Sequence, residues 1–273
     1  MPELPEVESV ARQLRPRLEG RRIVRACAGV QERFADVEAA AGHRIARLRR
    51  RGKYLLADLD GDRELVMHLG MTGSFRFRGQ LWGDGSLWEG DPYVRATFDL
   101  DDGAVVDFRD VRRFGRLAVV PAGDYRTIAT LAHLGPEPLS ADFDPDRFYA
   151  ALAASRMAVK PLLLTQRPVA GVGNIYADEA LWQARISPRA RRVGRARAHA
   201  LWAAIREVLA AAIEREGTSF SDYQMVNGQE GRNAPFLVVY GRSGNPCPRC
   251  GAMLRKTVVG GRGTTFCPRC QQR

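Results

Sequence analysis

Pro2 followed by Glu3 is a pair that can do chemistry on one condition. If Met1 is removed, Pro2 becomes the amino terminus and carries a secondary amine. An α-amino group titrates at roughly pH 7.7 to 8.0, so a useful fraction is neutral and nucleophilic near pH 7. Attack by such an amine on an aldehyde or a sugar C1′ gives an iminium ion, an electron sink that makes the neighbouring C2′ proton acidic. Glu3 stands next to it to move protons. The plainer reading is that proline and glutamate only begin a helix.

The C-terminus carries a second chemistry. Cys247-Pro-Arg-Cys250 and Cys267-Pro-Arg-Cys270 are separated by sixteen residues, a zinc-ribbon spacing. Two knuckles each present a pair of thiolates, and a tetrahedral zinc joins them where the segment is too small for a core of its own. Four thiolates leave no open coordination position, so Cys247, Cys250, Cys267 and Cys270 predict a structural metal, not a catalytic one. Between the knuckles, residues 254–259 and 264–266 predict a β-hairpin whose tip carries Gly260, Gly261, Arg262 and Gly263. Arg262 is then a presented charge, for a phosphate or only for solvent.

Other stretches suit a polyanion more weakly. Residues 44–53 hold six basic side chains and residues 185–197 hold six arginines, although charge runs are more often solvated faces. Gly171-Val-Gly-Asn174 opens a turn whose small residues allow a close approach to phosphate. It is no dinucleotide fingerprint, since the third glycine would fall at Tyr176. His68 closes an apolar run, where a packed histidine is usual. Asp110-Val-Arg-Arg-Phe-Gly115 puts two arginines beside Phe114, the composition of a wedge that opens a base step, and Met71 is a second filler for a vacated stack. Met71 and Phe114 read equally well as core.

These residues need elements to hold them. Val7, Val10, Ala11, Leu14 and Leu18 fall on one helical face, and Pro5 suits a first turn. Pro2 therefore precedes a helix start, where the dipole lowers the pKa of an amine and favours Glu3 and Glu6. Residues 23–30 read as a strand, residues 43–77 alternate around Gly and Asp-Gly turns, and Val94, Ala96, Phe98 and Leu100 turn through Asp101-Asp102-Gly103 into Val106 and Phe108 as a hairpin. Residues 80–91 show no period and read as a loop. Gly135-Pro136-Glu137-Pro138 ends this β-rich half. The clearest helix beyond it, through Leu201, Ile205, Val208, Leu209 and Ala212, stops at Gly217. Cys27 sits in an apolar stretch and is expected in the core.

The chain has 273 residues, 45% of them apolar, which suits folded domains and excludes disorder; a net charge of +11 and a pI near 10 point to nucleic acid as partner. An apolar leader and a membrane-spanning run are both missing from the pattern, so a cytoplasmic protein, monomeric by default, is expected.

Pro2-Glu3-Leu4-Pro5-Glu6-Val7-Glu8, Gly52-Lys53-Tyr54-Leu55-Leu56, His68-Leu-Gly-Met-Thr-Gly73, Arg112-Arg-Phe-Gly115, Leu134-Gly-Pro-Glu-Pro138, Gly171-Val-Gly-Asn-Ile-Tyr176 and the ribbon occur in one order. In this the whole chain resembles the formamidopyrimidine-DNA glycosylases, bacterial repair enzymes for oxidised purines. The resemblance implies an α+β architecture. An N-terminal catalytic β-sandwich with flanking helices spans residues 1–134, a helix-two-turn-helix domain spans 135–234, and a zinc finger spans 235–273, with double-stranded DNA in the cleft between.

The same resemblance implies roles. Pro2 is the nucleophile at C1′ and Glu3 the proton donor and acceptor at the sugar. Lys53 and Arg262 complete the catalytic and phosphate-binding set. His68, Lys160 and Asn174 contact DNA, while Met71, Arg112 and Phe114 fill the gap, read the opposite cytosine and wedge the duplex, offsetting the few kcal/mol of base flipping. Glycosidic cleavage is followed by β- and δ-elimination, leaving a one-nucleotide gap. Zinc is the one cofactor and takes no part in the chemistry. Val111 stands where the family usually has proline, and the histidines expected before the hairpin are missing. Two alternatives are an endonuclease VIII-like enzyme for oxidised pyrimidines, against which Leu4 and Arg112-Arg-Phe114 speak, and a DNA-binding protein without turnover, which has no need of a terminal amine.

Overall fold

The computed structural model describes residues 1–30, 33–79, 90–219 and 225–272. They form two compact units, Met1–Ala132 with Arg215–Ala234, and His133–Glu214 with Pro235–Arg273.

The first unit starts with helix α1 (Leu4–Leu18), which buries Val7, Val10, Ala11, Leu14 and Leu18 along the face their spacing predicts. Each such side chain gains about 1.5–3 kcal/mol from leaving water, so this stripe holds the helix in place more than helix propensity does. Two sheets follow. One has the order β1-β7-β8-β6, from β1 (Ile23–Ala28), β6 (Ser74–Phe77), β7 (Val94–Leu100) and β8 (Val105–Arg109). The other has the order β2-β9-β5-β4-β3, from β2 (Phe34–Ala35), β3 (Ile45–Arg51), β4 (Tyr54–Leu59), β5 (Arg63–His68) and β9 (Arg116–Pro121). Phe75, Phe98 and Phe108 from one sheet share a core with Leu48, Leu55 and Leu65 from the other and with the buried face of α1. In β7, Ala96, Phe98 and Leu100 point into that core and the residues between them do not, as the alternation predicts, while Val94, beyond a register shift against β8, is only half-buried.

Two expectations change here. Cys27 lies on the outward side of β1 and is exposed, because its neighbours Ala26 and Ala28 take the inward register. Residues 215–219 and 225–234, expected with the helical domain, pack with the first unit, since Met225 and Val226 enter its core. Most of the aperiodic stretch 80–91 lies outside the described residues.

The second unit carries α3 (Pro145–Ala153), α4 (Val159–Leu164), α5 (Asn174–Gln183) and α6 (Arg195–Glu214), after a single-turn α2 (Ala129–Ala132) that closes the first. Helix α5 is buried at every position from Ile175 to Leu181, so it is the axis on which the other elements pack. The ribbon hairpin pairs β10 (Arg255–Val259) with β11 (Arg262–Phe266), Val259 opposite Arg262. Its turn is therefore Gly260 and Gly261 alone, both at positive φ of 57° and 74°, and Arg262 opens the second strand instead of sitting at the tip. The ribbon shares its unit with the helices: the Glu179 carboxylate accepts the N–H groups of Val238, Val239 and Tyr240 at 2.8, 2.9 and 2.7 Å. Among the described residues, no helix is long and apolar enough to cross a membrane.

Candidate active site

Pro2 is buried immediately ahead of α1, while Met1 is 51% exposed. Glu3 is the N-cap. Its side chain accepts the backbone N–H of Glu6, and the Glu6 carboxylate accepts that of Glu3 at 2.7 Å, a reciprocal capping box built from two glutamates. The other Glu6 oxygen accepts the Thr218 N–H at 2.7 Å. Gly217 has φ of +81°, and a Cβ there would lie 2.7 Å from that oxygen, so only glycine lets the returning chain approach. The helix start is thereby held from both sides.

Lys53 follows Gly52 in the turn between β3 and β4. The turn is tied to α1 through Arg50, which bonds Glu8 at 2.9 Å and donates to the Gly52 carbonyl at 3.2 Å. Across the β4–β5 pair, Tyr54 lies opposite His68, and the two rings sit 4.6 Å apart. His68 Nδ1 accepts the Gly70 N–H at 3.0 Å, which leaves the ring proton on Nε2. Burial, with the charges of Lys53, Arg116 and Arg33, pushes the His68 pKa down from 6.5 to about 4. The imidazole is neutral at pH 7 and can donate one hydrogen bond without titrating.

The two loops that carry Met71, Arg112 and Phe114 are one assembly. Asp110, fully buried, receives Thr72 Oγ1 at 2.5 Å and the Arg112 N–H at 3.2 Å on one oxygen, and the Gly115 N–H at 2.7 Å on the other. A Cβ on Gly70 would lie 2.4 Å from the Phe114 carbonyl carbon, so the loops touch through backbone. Met71 is half-buried, Phe114 is 39% exposed, and the Arg112 guanidinium stands 4.9 Å over the Phe114 ring. Neither Phe114 nor Arg112 is core.

In the second unit, Asn174 begins α5 and its Nδ2 donates to the Gly263 carbonyl at 3.1 Å, while Arg262 is exposed on the same hairpin. Lys160 differs from its expected role. It is 0% exposed, 2.7 Å from Asp178 Oδ1, and donates to Thr264 Oγ1 at 2.8 Å and the Gly263 carbonyl at 3.1 Å. A side chain sealed this way touches no phosphate; it fastens the hairpin to α5.

The four ribbon thiols lie within 4.8 Å of one another, with Sγ separations of 4.0 Å for Cys247 and Cys270 and 3.5 Å for Cys250 and Cys267. Four thiolates about 2.3 Å from one zinc stand about 3.8 Å apart, so the set fits the metal. The Trp182 indole N–H donates to Cys247 Sγ at 3.4 Å and the Cys270 N–H to Cys267 Sγ at 3.3 Å, which suits thiolates. Two members of the basic run at residues 44–53 are spent on structure: Arg49 pairs with Asp58 and Glu64, and Arg50 with Glu8. Sequence reasoning gave Asp110 and Asp178 no role, and their signal, a carboxylate beside small or basic residues, is too common to read without the fold.

Three family models match in order: a "Formamidopyrimidine-DNA glycosylase N-terminal domain" over residues 1–117, a "Formamidopyrimidine-DNA glycosylase H2TH domain" over 134–224, and a "Zinc finger found in FPG and IleRS" over 244–273. The chain is similar to the formamidopyrimidine-DNA glycosylase of Deinococcus radiodurans, 46% identical with 99% of this chain and 97% of that one covered. It is similar to the crystal structure of the MutM (Fpg) protein from Thermus thermophilus at 47% identity and a TM-score of 0.90, covering 99% and 98% of the two chains. It is also similar to a Lactococcus lactis Fpg mutant in complex with a Fapy-dG containing DNA, at 37% identity, a TM-score of 0.87 and full coverage of both chains.

Proposed function

This chain belongs to the formamidopyrimidine-DNA glycosylase family, and we propose that it removes 8-oxoguanine and formamidopyrimidines from duplex DNA with Pro2 as its nucleophile. It is a base-excision repair enzyme, a DNA glycosylase with AP lyase activity, and it carries a structural zinc in its ribbon. The observation that carries the reading is the reciprocal bond between Glu3 and Glu6, which fixes a carboxylate beside the proline that ends the chain once Met1 is gone.

In this reading the Pro2 amine, freed by Met1 removal, attacks C1′ of the flipped nucleotide and the C1′–N bond to the base breaks. Glu3 gives a proton to the sugar ring oxygen as the ring opens. The resulting iminium acidifies C2′, and loss of that proton expels the 3′ phosphate; a second elimination expels the 5′ phosphate. Hydrolysis of the remaining iminium returns the amine. Lys53 and Arg262 supply positive charge to the phosphates. Asn174, and His68 through its Nε2–H, donate to them. Met71, Arg112 and Phe114 occupy the space the base leaves. Lys160 is a positioning residue. Zinc holds the ribbon that presents Arg262 and takes no part in bond breaking. The enzyme works as a cytoplasmic monomer.

The test is product analysis on a duplex with 8-oxoguanine opposite cytosine. A one-nucleotide gap with phosphate at both ends is expected. A duplex that is bound but left intact in both base and backbone refutes the enzyme reading, and preferential cutting at dihydrouracil refutes the purine preference.

A further inference from the structure

Two depressions of the second unit run into each other. One, of about 890 Å³, is lined by Met157, Pro161, Arg189, Arg191, Arg192 and Val258 among others. The next, of about 690 Å³, shares Arg191 and Arg192 and adds Tyr149 and Arg156. No carboxylate lines either one among the described residues. Some exposed arginines elsewhere meet an acid: Arg25 pairs with Asp99, Arg126 with Asp124, Arg195 with Asp146 and Arg232 with Glu216. Arg156, Arg191 and Arg192 are exposed and meet none among the described residues. Four guanidinium groups gathered without counter-charge repel one another, and a bound polyanion relieves that repulsion.

The groove shares a wall with the hairpin that presents Arg262. Gly260 of the hairpin turn faces Pro161 so closely that a Cβ on it would lie 2.6 Å from the proline Cγ, and the Arg189 guanidinium donates to Thr257 Oγ1 on β10. Among the described residues no aromatic side chain lines the larger depression, so it lacks the anchor pocket on which a docked peptide relies. We propose that Arg156, Arg189, Arg191 and Arg192 form a second phosphate track, which takes the backbone of the duplex beyond the stretch held at the lesion. The proposal rests on the DNA-repair reading above and extends it from the damaged nucleotide to the undamaged flank.

The test uses undamaged duplexes of about one and about three helical turns, so that chemistry at a lesion does not enter. Affinity is followed against salt for the zinc-loaded wild type, for Arg191→Glu with Arg192→Glu, and for Arg63→Glu with Arg126→Glu, a control with the same charge change on the other unit. Melting and zinc content verify that each is folded. Each lost phosphate contact lowers the slope of log affinity against log salt by about 0.9. The groove variant is expected to lose about 1.8 from the slope on the long duplex and little on the short one, and the control to keep the long-duplex advantage. Equal losses on both lengths, or an equal loss in the control, overturn the track. So does a groove variant that holds the long duplex like wild type but loses a probe peptide of alternating Asp and Leu, which would make the groove a protein-docking surface. If the wild type binds neither duplex, the DNA reading itself fails and the track with it.

Discussion

The Glu6 carboxylate accepts the Glu3 backbone N–H at 2.7 Å, so the residue beside Pro2 is held by the helix it begins. Glu6 does this while also accepting the Thr218 N–H, which makes one buried side chain responsible for the position of the helix start and of the chain that returns to it. Glu6→Ala leaves both buried donors without an acceptor, and the expected loss is about 2–4 kcal/mol in urea unfolding. Single-turnover base excision should fall with it even where the protein is fully folded. A variant as stable and as fast as wild type would show that Glu3 needs no such anchor.

Asp110 plays the same part for the wedge. Asp110→Ala frees Thr72, Arg112 and Gly115 together and is expected to lower stability by about 3 kcal/mol. Gly70→Ala acts at the same joint, forcing a side chain into the Phe114 backbone from a left-handed conformation. Both should weaken the fluorescence rise of 2-aminopurine placed beside the lesion, which reports unstacking. An unchanged rise in a folded variant would separate the loops from duplex opening.

For Lys160 the buried pair makes a sharp distinction. Lys160→Met strands Asp178 without its partner and should lower stability by about 3–5 kcal/mol, while Lys160→Met with Asp178→Leu should recover most of it. A phosphate contact would behave differently, with stability unchanged and the salt dependence of DNA binding reduced by about 0.9.

His68 sets a pH dependence. Its folded pKa, about 4, lies below the ordinary 6.5, so the unfolded chain takes up a proton in that window and the native protein does not. The stabilisation is therefore complete above pH 6.5 and is lost as pH falls towards 4, by up to about 3 kcal/mol. His68→Gln should flatten unfolding free energy between those limits relative to wild type. Parallel curves for the two proteins would contradict a neutral, half-buried imidazole.

Much of this was legible in the sequence because it is local. The helical stripe of α1, the alternation in β7 and the cysteine spacing are set by residues near one another, and the structure repeats them. What was not legible depends on partners far along the chain. Lys160 reads as a DNA contact until Asp178 and Thr264 close around it, and Arg49 and Arg50 read as phosphate ligands until Glu64 and Glu8 claim them. Cys27 shows the limit of alternation itself, since an apolar stretch does not say which of its residues takes the inward register. Arg262 moved from the tip to a strand because two glycines suffice for the turn.

The most direct test is borohydride trapping of Met1-processed protein on a duplex carrying 8-oxoguanine opposite cytosine, with Pro2→Gly, Glu3→Gln and a dihydrouracil duplex alongside. Reduction fixes a covalent adduct only where an imine has formed. A strong adduct on the 8-oxoguanine duplex is expected, weak trapping on dihydrouracil, marked loss in Pro2→Gly, and a rate lowered on the order of a hundredfold or more in Glu3→Gln. A protein that binds the duplex and yields no adduct, or a Pro2→Gly variant that traps as fast as wild type, would contradict the terminal amine as nucleophile.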